Sequence, residues 1–247
     1  MQTDRLGRMK LKVYSDYEQM SRAAADFILA ELQNRPDLLL CTATGASPTR
    51  TYGFLAEQFQ RDPATFQRLR VLNLDEWGGL AMDDPGSSET YLQRHVIGPL
   101  AISGDRYTSF QSRPKDPQKE CSRIREWLAR NGPIDICVLG LGTNGHLAMN
   151  EPADVLGPFA HVAELAPTTL NHSMLAGSRQ RPQFGLTLGM AELLYSRRIL
   201  LLVSGAGKSE QLARLFEEKI STQFPASLLW LHPAVNCFCD EAAASRL

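Results

Sequence analysis

The chain lacks the features that mark several classes of protein. No apolar run approaches the roughly 20 residues of a membrane-spanning helix, and the N-terminus lacks the apolar core of a signal peptide. The 26 basic residues are balanced by 27 acidic ones, so no basic field points to nucleic acid. No two histidines stand four residues apart as helical zinc ligands. We therefore expect neither a membrane nor a nucleic-acid partner, and no metal.

Cysteine is scarce, and its number is odd. The five are Cys41, Cys121, Cys137, Cys237 and Cys239. Most of them lie inside apolar, strand-like runs, where a thiol is usually a small packing residue. A disulfide framework is therefore not expected, and the cysteine pattern predicts a cytoplasmic location.

Short apolar runs alternate with amphipathic segments along the 247 residues. The predicted strands are 11–14, 38–42, 69–74, 107–110, 134–139, 199–203 and 234–239. The predicted helices are 16–34, 48–60, 88–97, 118–130, 208–219 and 226–231. Buried strands that alternate with helices predict an α/β fold, with an open, mostly parallel, Rossmann-like sheet covered by helices on both faces. We expect a single domain over 9–247, with 1–8 as a flexible extension and the irregular stretch 153–183 as a mobile flap over a site.

Glycines follow the predicted strand 134–139, and their spacing is that of a dinucleotide-binding turn. The residues from Gly140 to Gly145 spell G-x-G-x-x-G. Such a turn runs directly into a long helix whose N-terminus holds a pyrophosphate. Pro152 lies seven residues beyond Gly145, which leaves room for barely two helical turns. The spacing therefore argues against a dinucleotide site.

The same loop contains an amide, an imidazole and a carboxylate within a few residues of one another. These are Asn144, His146 and Glu151. An imidazole with polar partners is the usual material of a positioned acid or base. The loop therefore predicts a catalytic histidine.

A second glycine turn, 43–49, follows the strand 38–42. Ser47 suits the N-cap of the next helix, and Pro48 suits its first helical position. Backbone N–H groups and the positive end of a helix dipole favour an anion. A simple capped helix start explains the same residues equally well.

The strands 69–74 and 199–203 also end in polar residues. Asp75 and Glu76 follow the first, where carboxylates either exchange protons or cap the next turn; taken alone, the cap is favoured. Lys208 follows the second in a segment like the end of a P-loop, but Leu202 stands where that motif requires glycine. We therefore expect Lys208 to bind a phosphate group outside a nucleotide site.

Together these loops resemble the amino-sugar-phosphate deaminase/isomerase family. The resemblance covers nearly the whole chain from about Met9. It is carried by the segments 43–48, 73–77, 140–152, 186–189, 207–208 and 231–233. The 6-phosphogluconolactonases share the fold but typically lack the Asn-Glu-Pro ending at 150–152. Within the family, the segments 85–90 and 225–232 look more like the galactosamine-6-phosphate branch.

The resemblance implies deamination and isomerisation of a 2-amino-2-deoxyhexose 6-phosphate to a ketohexose 6-phosphate plus ammonia. Galactosamine 6-phosphate is the favoured substrate and glucosamine 6-phosphate the other candidate. His146 is expected to open the sugar ring, held by Glu151 and Asn144, although the best-known deaminases have an aspartate where Asn144 stands. Asp75 is expected to be the base that moves a proton between C2 and C1.

The resemblance also implies how the phosphate is held. The expected phosphate-binding residues are Thr44, Gly45, Ala46, Ser47 and Lys208. Family members often add an arginine from the flap, but the stretch from Thr168 to Met174 has His172 instead. No metal or organic cofactor is implied, and a homo-oligomer is compatible with the resemblance.

Two other functions fit parts of the sequence. One is a 6-phosphogluconolactonase-like hydrolase, which would release no ammonia. The other is a non-catalytic sugar-phosphate-binding regulator, which would have lost the proton-transfer residues. Asp75, His146 and Glu151 are all present, and this favours an enzyme.

Overall fold

A computed structural model describes residues 9–166, 169–171 and 173–247. The predictions for the extension 1–8, for Thr168 and for His172 lie outside the described residues.

Strands of the described chain form two sheets. In chain order they are β1 (Lys10–Tyr14), β2 (Leu39–Thr42), β3 (Arg70–Asn73), β4 (Asp75–Gly78), β5 (Tyr107–Thr108), β6 (Ile136–Gly140), β7 (His161–Ala163), β8 (Phe184–Thr187), β9 (Arg198–Val203) and β10 (Val235–Asp240). The larger sheet has seven strands in the order β1-β10-β9-β6-β2-β3-β5. Every pair in it is parallel, which confirms the predicted parallel sheet.

The helices lie between successive strands of this sheet, except the last, which follows β10. They are α1 (Tyr17–Asn34), α2 (Ala46–Arg61), α3 (Ser88–Leu92), α4 (Pro117–Asn131), α5 (Met190–Leu194), α6 (Ser209–Leu215) and α7 (Glu241–Ala244). A single π turn, Gln93–Ile97, extends α3, and the predicted helix 226–231 is a 3-10 helix, Pro225–Leu231. Within the described residues, none of these helices combines the length and apolarity needed to cross a bilayer.

The start of α2 differs from the prediction. The helix begins at Ala46, and Gly45 occupies the N-cap position, so the assignments of Ser47 to the N-cap and of Pro48 to the first helical position are wrong. Gly45 has a φ of +98°, which glycine adopts without steric cost. The helix therefore begins directly after Gly45, two residues before the predicted start at Pro48.

Side chains from the two faces of the sheet pack into two apolar layers. On β9, Leu200 and Leu202 join the layer that contains the buried faces of α1 and α2. Ile199 and Leu201 point the other way and pack with residues of α4, α5 and α6. Helices therefore cover both faces, as predicted. All five cysteines are free and buried in these layers.

A second, antiparallel sheet was not predicted. It has three strands in the order β4-β8-β7, and Asp75 of β4 is paired with Thr187 of β8. The prediction that 75–77 form a loop after a strand is therefore wrong. In the irregular stretch 153–183, the described residues form only β7 and short 3-10 turns. The strands of this sheet are too short to show a clear alternation.

The order of the parallel strands reverses between β2 and β6. From β2 the chain moves outward through β3 and β5, whereas from β6 it moves through β9 and β10 in the other direction. Loops that leave two such strands diverge and open a crevice at the carboxyl edge of the sheet. This crevice is where a ligand site is expected.

Candidate active site

A cavity of about 390 Å³ lies at that carboxyl edge. Its walls come from the loops after β2, β6 and β9, from β4 and the residue before it, and from one residue of the stretch 153–183. They contain Thr44, Gly45, Ala46, Ser47, Asp75, His146 and Lys208, together with Trp77, Thr143, Thr169 and Ser204. Most of the predicted site residues therefore share one cavity, although they are far apart in the sequence.

Asp75 presents a buried carboxylate to this cavity, and only 8% of the residue is exposed. Within the described part of the chain, no group donates a hydrogen bond to this carboxylate; the backbone N–H of Asp75 itself donates to Asn73. Burial raises the pKa of Asp75 to about 7, although the nearby His146 acts in the opposite direction. The group can therefore take up and release a proton near neutral pH.

The neighbouring carboxylate of Glu76 has a different environment. It accepts hydrogen bonds from the backbone N–H groups of Trp77, Ser88 and Glu89 at 2.7, 2.8 and 2.8 Å. Burial raises the pKa of Glu76 to about 8 in spite of these donors. Because its oxygens are occupied by the first N–H groups of α3, Glu76 caps that helix. The capping interpretation therefore applies to Glu76, whereas the carboxylate that faces the cavity is that of Asp75.

His146 contacts the two polar residues that lie near it in the same loop, Asn144 and Glu151. Its Nδ1 lies 3.4 Å from Oε2 of Glu151, and its backbone N–H donates to Oδ1 of Asn144 at 3.1 Å. The Nδ2 of Asn144 donates to Glu151 at 2.7 Å, and the Thr169 hydroxyl makes a short hydrogen bond to the other carboxylate oxygen. Asn144 and Glu151 thus stand behind His146, which alone of the three faces the cavity.

These contacts determine the charge of Glu151. Burial would raise its pKa, but the contacts with His146, Thr169 and Asn144 outweigh it and lower the pKa to about 2. Glu151 is therefore ionised at neutral pH. An ionised carboxylate beside Nδ1 orients the imidazole ring.

Two glycines shape the loop that carries His146. A Cβ atom on Gly142 would lie 2.4 Å from three atoms of the His146 ring. Gly145 has a φ of +87°, and a Cβ there would lie 2.1 Å from the ring of Phe224. The loop makes tight turns as far as Asn150 and does not continue into a helix. Its glycines therefore serve close packing, and the dinucleotide interpretation is excluded.

The opposite side of the cavity is suited to an anion. The N–H groups of Ala46 and Ser47 belong to the first turn of α2 and have no partner within the helix. The ammonium group of Lys208 makes no ion pair with any carboxylate among the described residues, and burial lowers its pKa. The hydroxyls of Ser47 and Ser204 lie 3.1 Å apart and connect the two loops. An unpaired cation beside a helix N-terminus is a typical phosphate site.

Some residues of the site were not predicted from the sequence. Thr169 and Ser204 line the cavity, but isolated hydroxyl residues carry no spacing signal. No arginine occurs among the described wall residues, and His161 lies away from the cavity with its ring against the carbonyl of Phe159. Across 9–166, 169–171 and 173–247, no cluster of three or more histidine, cysteine or acidic side chains is arranged to hold a metal ion.

Comparison with known proteins places this site in a family. The family profile described as glucosamine-6-phosphate isomerases/6-phosphogluconolactonase matches residues 15–237. The chain belongs to this family. Among its relatives is AgaI of Escherichia coli (strain K12), named as a deaminase, which is 39% identical over 93% of this chain and 91% of its own length. The glucosamine-6-phosphate deaminase of Geobacillus sp. (strain WCH70) is 37% identical over 96% of this chain and 95% of its own.

Solved structures of the glucosamine-6-phosphate isomerase family agree with the fold. A monomeric glucosamine-6-phosphate deaminase superposes with a TM-score of 0.92 at 35% identity, covering 97% of this chain and 100% of the other. The 6-phosphogluconolactonase of Trypanosoma brucei superposes with a TM-score of 0.77 at 18% identity, covering 97% and 99%. The lactonase shares the fold alone, whereas the deaminase is similar in sequence as well.

The contact between Gly142 and the His146 ring gives a direct test of this loop. Gly142→Ala should displace the imidazole, shift the NMR signals of its ring protons and lower the free energy of unfolding by roughly 1–3 kcal/mol, the usual cost of overpacking. Gly140→Ala is the matched control, because a Cβ there meets nothing within 4 Å. Equal effects of the two substitutions on the His146 signals would contradict the proposed packing.

Proposed function

We propose that the chain converts a 2-amino-2-deoxyhexose 6-phosphate into a ketohexose 6-phosphate and ammonia. One observation carries this proposal. A single cavity combines the Asp75 carboxylate with a pKa of about 7, the His146 imidazole, the Lys208 ammonium group and the N-terminus of α2. Relatives named as glucosamine-6-phosphate deaminases, with 35% and 37% identity over nearly the whole chain, support the same substrate class.

Ring opening is assigned to His146. The cyclic sugar opens when a proton leaves the anomeric hydroxyl and another reaches the ring oxygen, and one imidazole can serve both transfers. The ionised Glu151 stabilises the imidazolium that this requires. Asn144 carries no charge and orients the loop through the backbone of His146, so charge compensation falls to Glu151.

Isomerisation is assigned to Asp75. Its carboxylate takes the proton from C2 of the open-chain aldehyde to give an enolamine and returns a proton to C1, while O1 takes up a proton and the amino group gives one up. The product is an imine at C2 with a hydroxyl at C1; water adds to the imine carbon, and loss of ammonia leaves the C2 carbonyl of the ketose. A pKa of about 7 suits this role, because the base is partly ionised near neutral pH and its conjugate acid still gives up the proton readily.

The substrate phosphate is assigned to the other side of the cavity. Thr44, Gly45, Ala46 and Ser47 supply the backbone of the loop, and Lys208 supplies the positive charge. A phosphate held there is anchored by a helix dipole and a charge-assisted hydrogen bond. The rest of the sugar then extends toward Asp75 and His146.

We propose galactosamine 6-phosphate as the preferred epimer and glucosamine 6-phosphate as the alternative. The segments 85–90 and 225–232, which resemble the galactosamine-6-phosphate branch, stand outside the cavity walls. The first supplies the N–H groups that hold Glu76, and in the second the N–H of Ala226 donates to Gly145 at 2.9 Å. The first segment therefore supports the strand that carries the proposed base, and the second supports the loop that carries the histidine.

The deciding experiment measures ammonia and ketohexose phosphate released from each epimer, and acid released from a 6-phosphoglucono-lactone. We expect ammonia in stoichiometric amount with the ketose, and faster release from galactosamine 6-phosphate. Hydrolysis of the lactone without ammonia from either amino sugar would favour a lactonase. Binding of the sugar phosphates without turnover would favour a regulator.

Asp75→Asn should abolish exchange at C2, because an amide cannot accept the proton. We expect turnover to fall by at least ~10²-fold, the lower range for loss of a positioned acid or base. The measurement is incorporation of deuterium at C2, and unchanged binding of inorganic phosphate serves as the control for an intact site. Near wild-type exchange in this variant would show that another group is the base.

Lys208→Ala should weaken binding of phosphorylated substrates selectively. A charge-assisted hydrogen bond contributes roughly 1.5–3 kcal/mol, so KM for the sugar phosphate should rise about tenfold or more. The unphosphorylated amino sugar should be almost unaffected. Lys219→Ala is the matched control, because that side chain is 80% exposed and pairs with Glu217. Equal losses on both sugars would rule out a phosphate role for Lys208.

A further inference from the structure

Two hydroxyl groups from different helices converge on one carbonyl of the loop at 44–47. The Tyr91 hydroxyl, just before the end of α3, donates to the carbonyl oxygen of Gly45 at 3.0 Å. The Thr49 hydroxyl, in the first turn of α2, donates to the same oxygen at 2.8 Å. The two hydroxyl oxygens are themselves 2.8 Å apart. These three atoms form a closed triangle beside the helix N-terminus.

The triangle contains fewer protons than contacts. Each hydroxyl has one proton to donate, so two protons serve three close contacts. When one hydroxyl donates to the other, the second still donates to Gly45. The Gly45 carbonyl therefore keeps a donor in every arrangement, and either hydroxyl can replace the other.

Fixing this carbonyl fixes the N–H group that faces the cavity. The Gly45 carbonyl and the Ala46 N–H belong to one planar trans peptide and point in opposite directions. The Tyr17 hydroxyl donates to the Ala46 carbonyl at 2.5 Å and in the same way fixes the N–H of Ser47. As the carbonyl of the N-cap residue, the Gly45 carbonyl also accepts the first hydrogen bond of α2, and the two hydroxyls add to that restraint.

Helix α3 also contacts the other side of the cavity. Its first N–H groups, from Ser88 and Glu89, hold the carboxylate of Glu76, which is adjacent to Asp75 in β4. The same short helix therefore touches the loop at one point and the strand of the proposed base at another. Tyr91 is half-buried at the junction of the two.

We propose that Tyr91 and Thr49 are positioning residues that act as an interchangeable pair on the phosphate-binding loop. Their hydroxyls hold the Gly45 peptide so that the N–H groups of Ala46 and Ser47 face the substrate phosphate. The inference rests on the proposed function, since it assigns a phosphate to this loop. Loss of one hydroxyl leaves the other donor in place, whereas loss of both leaves the Gly45 carbonyl with its intrahelical bond alone.

The test uses Tyr91→Phe, Thr49→Val and the double variant. The dissociation constant of inorganic phosphate is measured by calorimetry, and KM and kcat are measured on the sugar phosphate and on the unphosphorylated amino sugar. Each single change should weaken phosphate binding by no more than about threefold, and the double change by about tenfold or more, in excess of the product of the singles. The unphosphorylated sugar should show no such change.

Tyr107→Phe is the matched control. It removes another partly buried tyrosine hydroxyl that bonds to α3, through the Glu89 side chain at 2.7 Å, but that hydroxyl does not reach the loop. Its phosphate affinity should stay within about twofold of wild type. A melting curve for each variant separates loss of stability from loss of binding.

Two results would overturn the inference. One is a double variant that binds phosphate as well as wild type or whose loss equals the product of the single losses. The other is an equal loss on the phosphorylated and unphosphorylated sugars, which would indicate a general structural role. If the wild-type protein itself neither binds phosphate nor releases ammonia, the proposed function fails and this inference fails with it.

Discussion

The pairing of β2 with β6 is the constraint on which the rest of the site depends. The two strands share only a short register, Leu40 with Ile136 and Cys41 with Cys137, and all four side chains are buried. Beyond these pairs the chain turns outward in opposite directions, so the two loops cannot pack against each other. The crevice between them brings a helix N-terminus from one strand opposite a histidine loop from the other.

Within this crevice, carboxylates of the same chemistry are held in different states. Asp75 receives no hydrogen bond from the described residues, and burial raises its pKa to about 7. Glu151 is also partly buried, but its donors lower its pKa to about 2. At Glu151 the contacts with His146, Thr169 and Asn144 outweigh the effect of burial on the pKa, whereas at Asp75 only the nearby His146 opposes it. Neighbouring carboxylates whose environments push their pKa values apart are suited to different roles in acid–base chemistry.

The sequence predicts the parallel layer of the fold well and the rest less well. Buried runs such as 134–139 and 199–203 lie close to β6 (Ile136–Gly140) and β9 (Arg198–Val203), because strands covered on both faces are apolar throughout. The second sheet escapes prediction because β4 begins with two acidic residues and spans four positions. The predicted start of α2 is wrong because the positive φ of Gly45 depends on the surroundings of that residue in the folded chain. Thr169 was not predicted as a site residue, because only folding of the chain brings it to the cavity.

That last residue links the irregular stretch 153–183 to the proposed acid–base group. Thr169 is buried, lines the cavity and donates to the carboxylate oxygen of Glu151 that faces away from Asn144 and His146. Its hydroxyl is one of the contacts that keep the pKa of Glu151 low. The position of this stretch therefore contributes to the charge that Glu151 places behind His146. One residue of this stretch thus both lines the cavity and holds the carboxylate that lies behind His146.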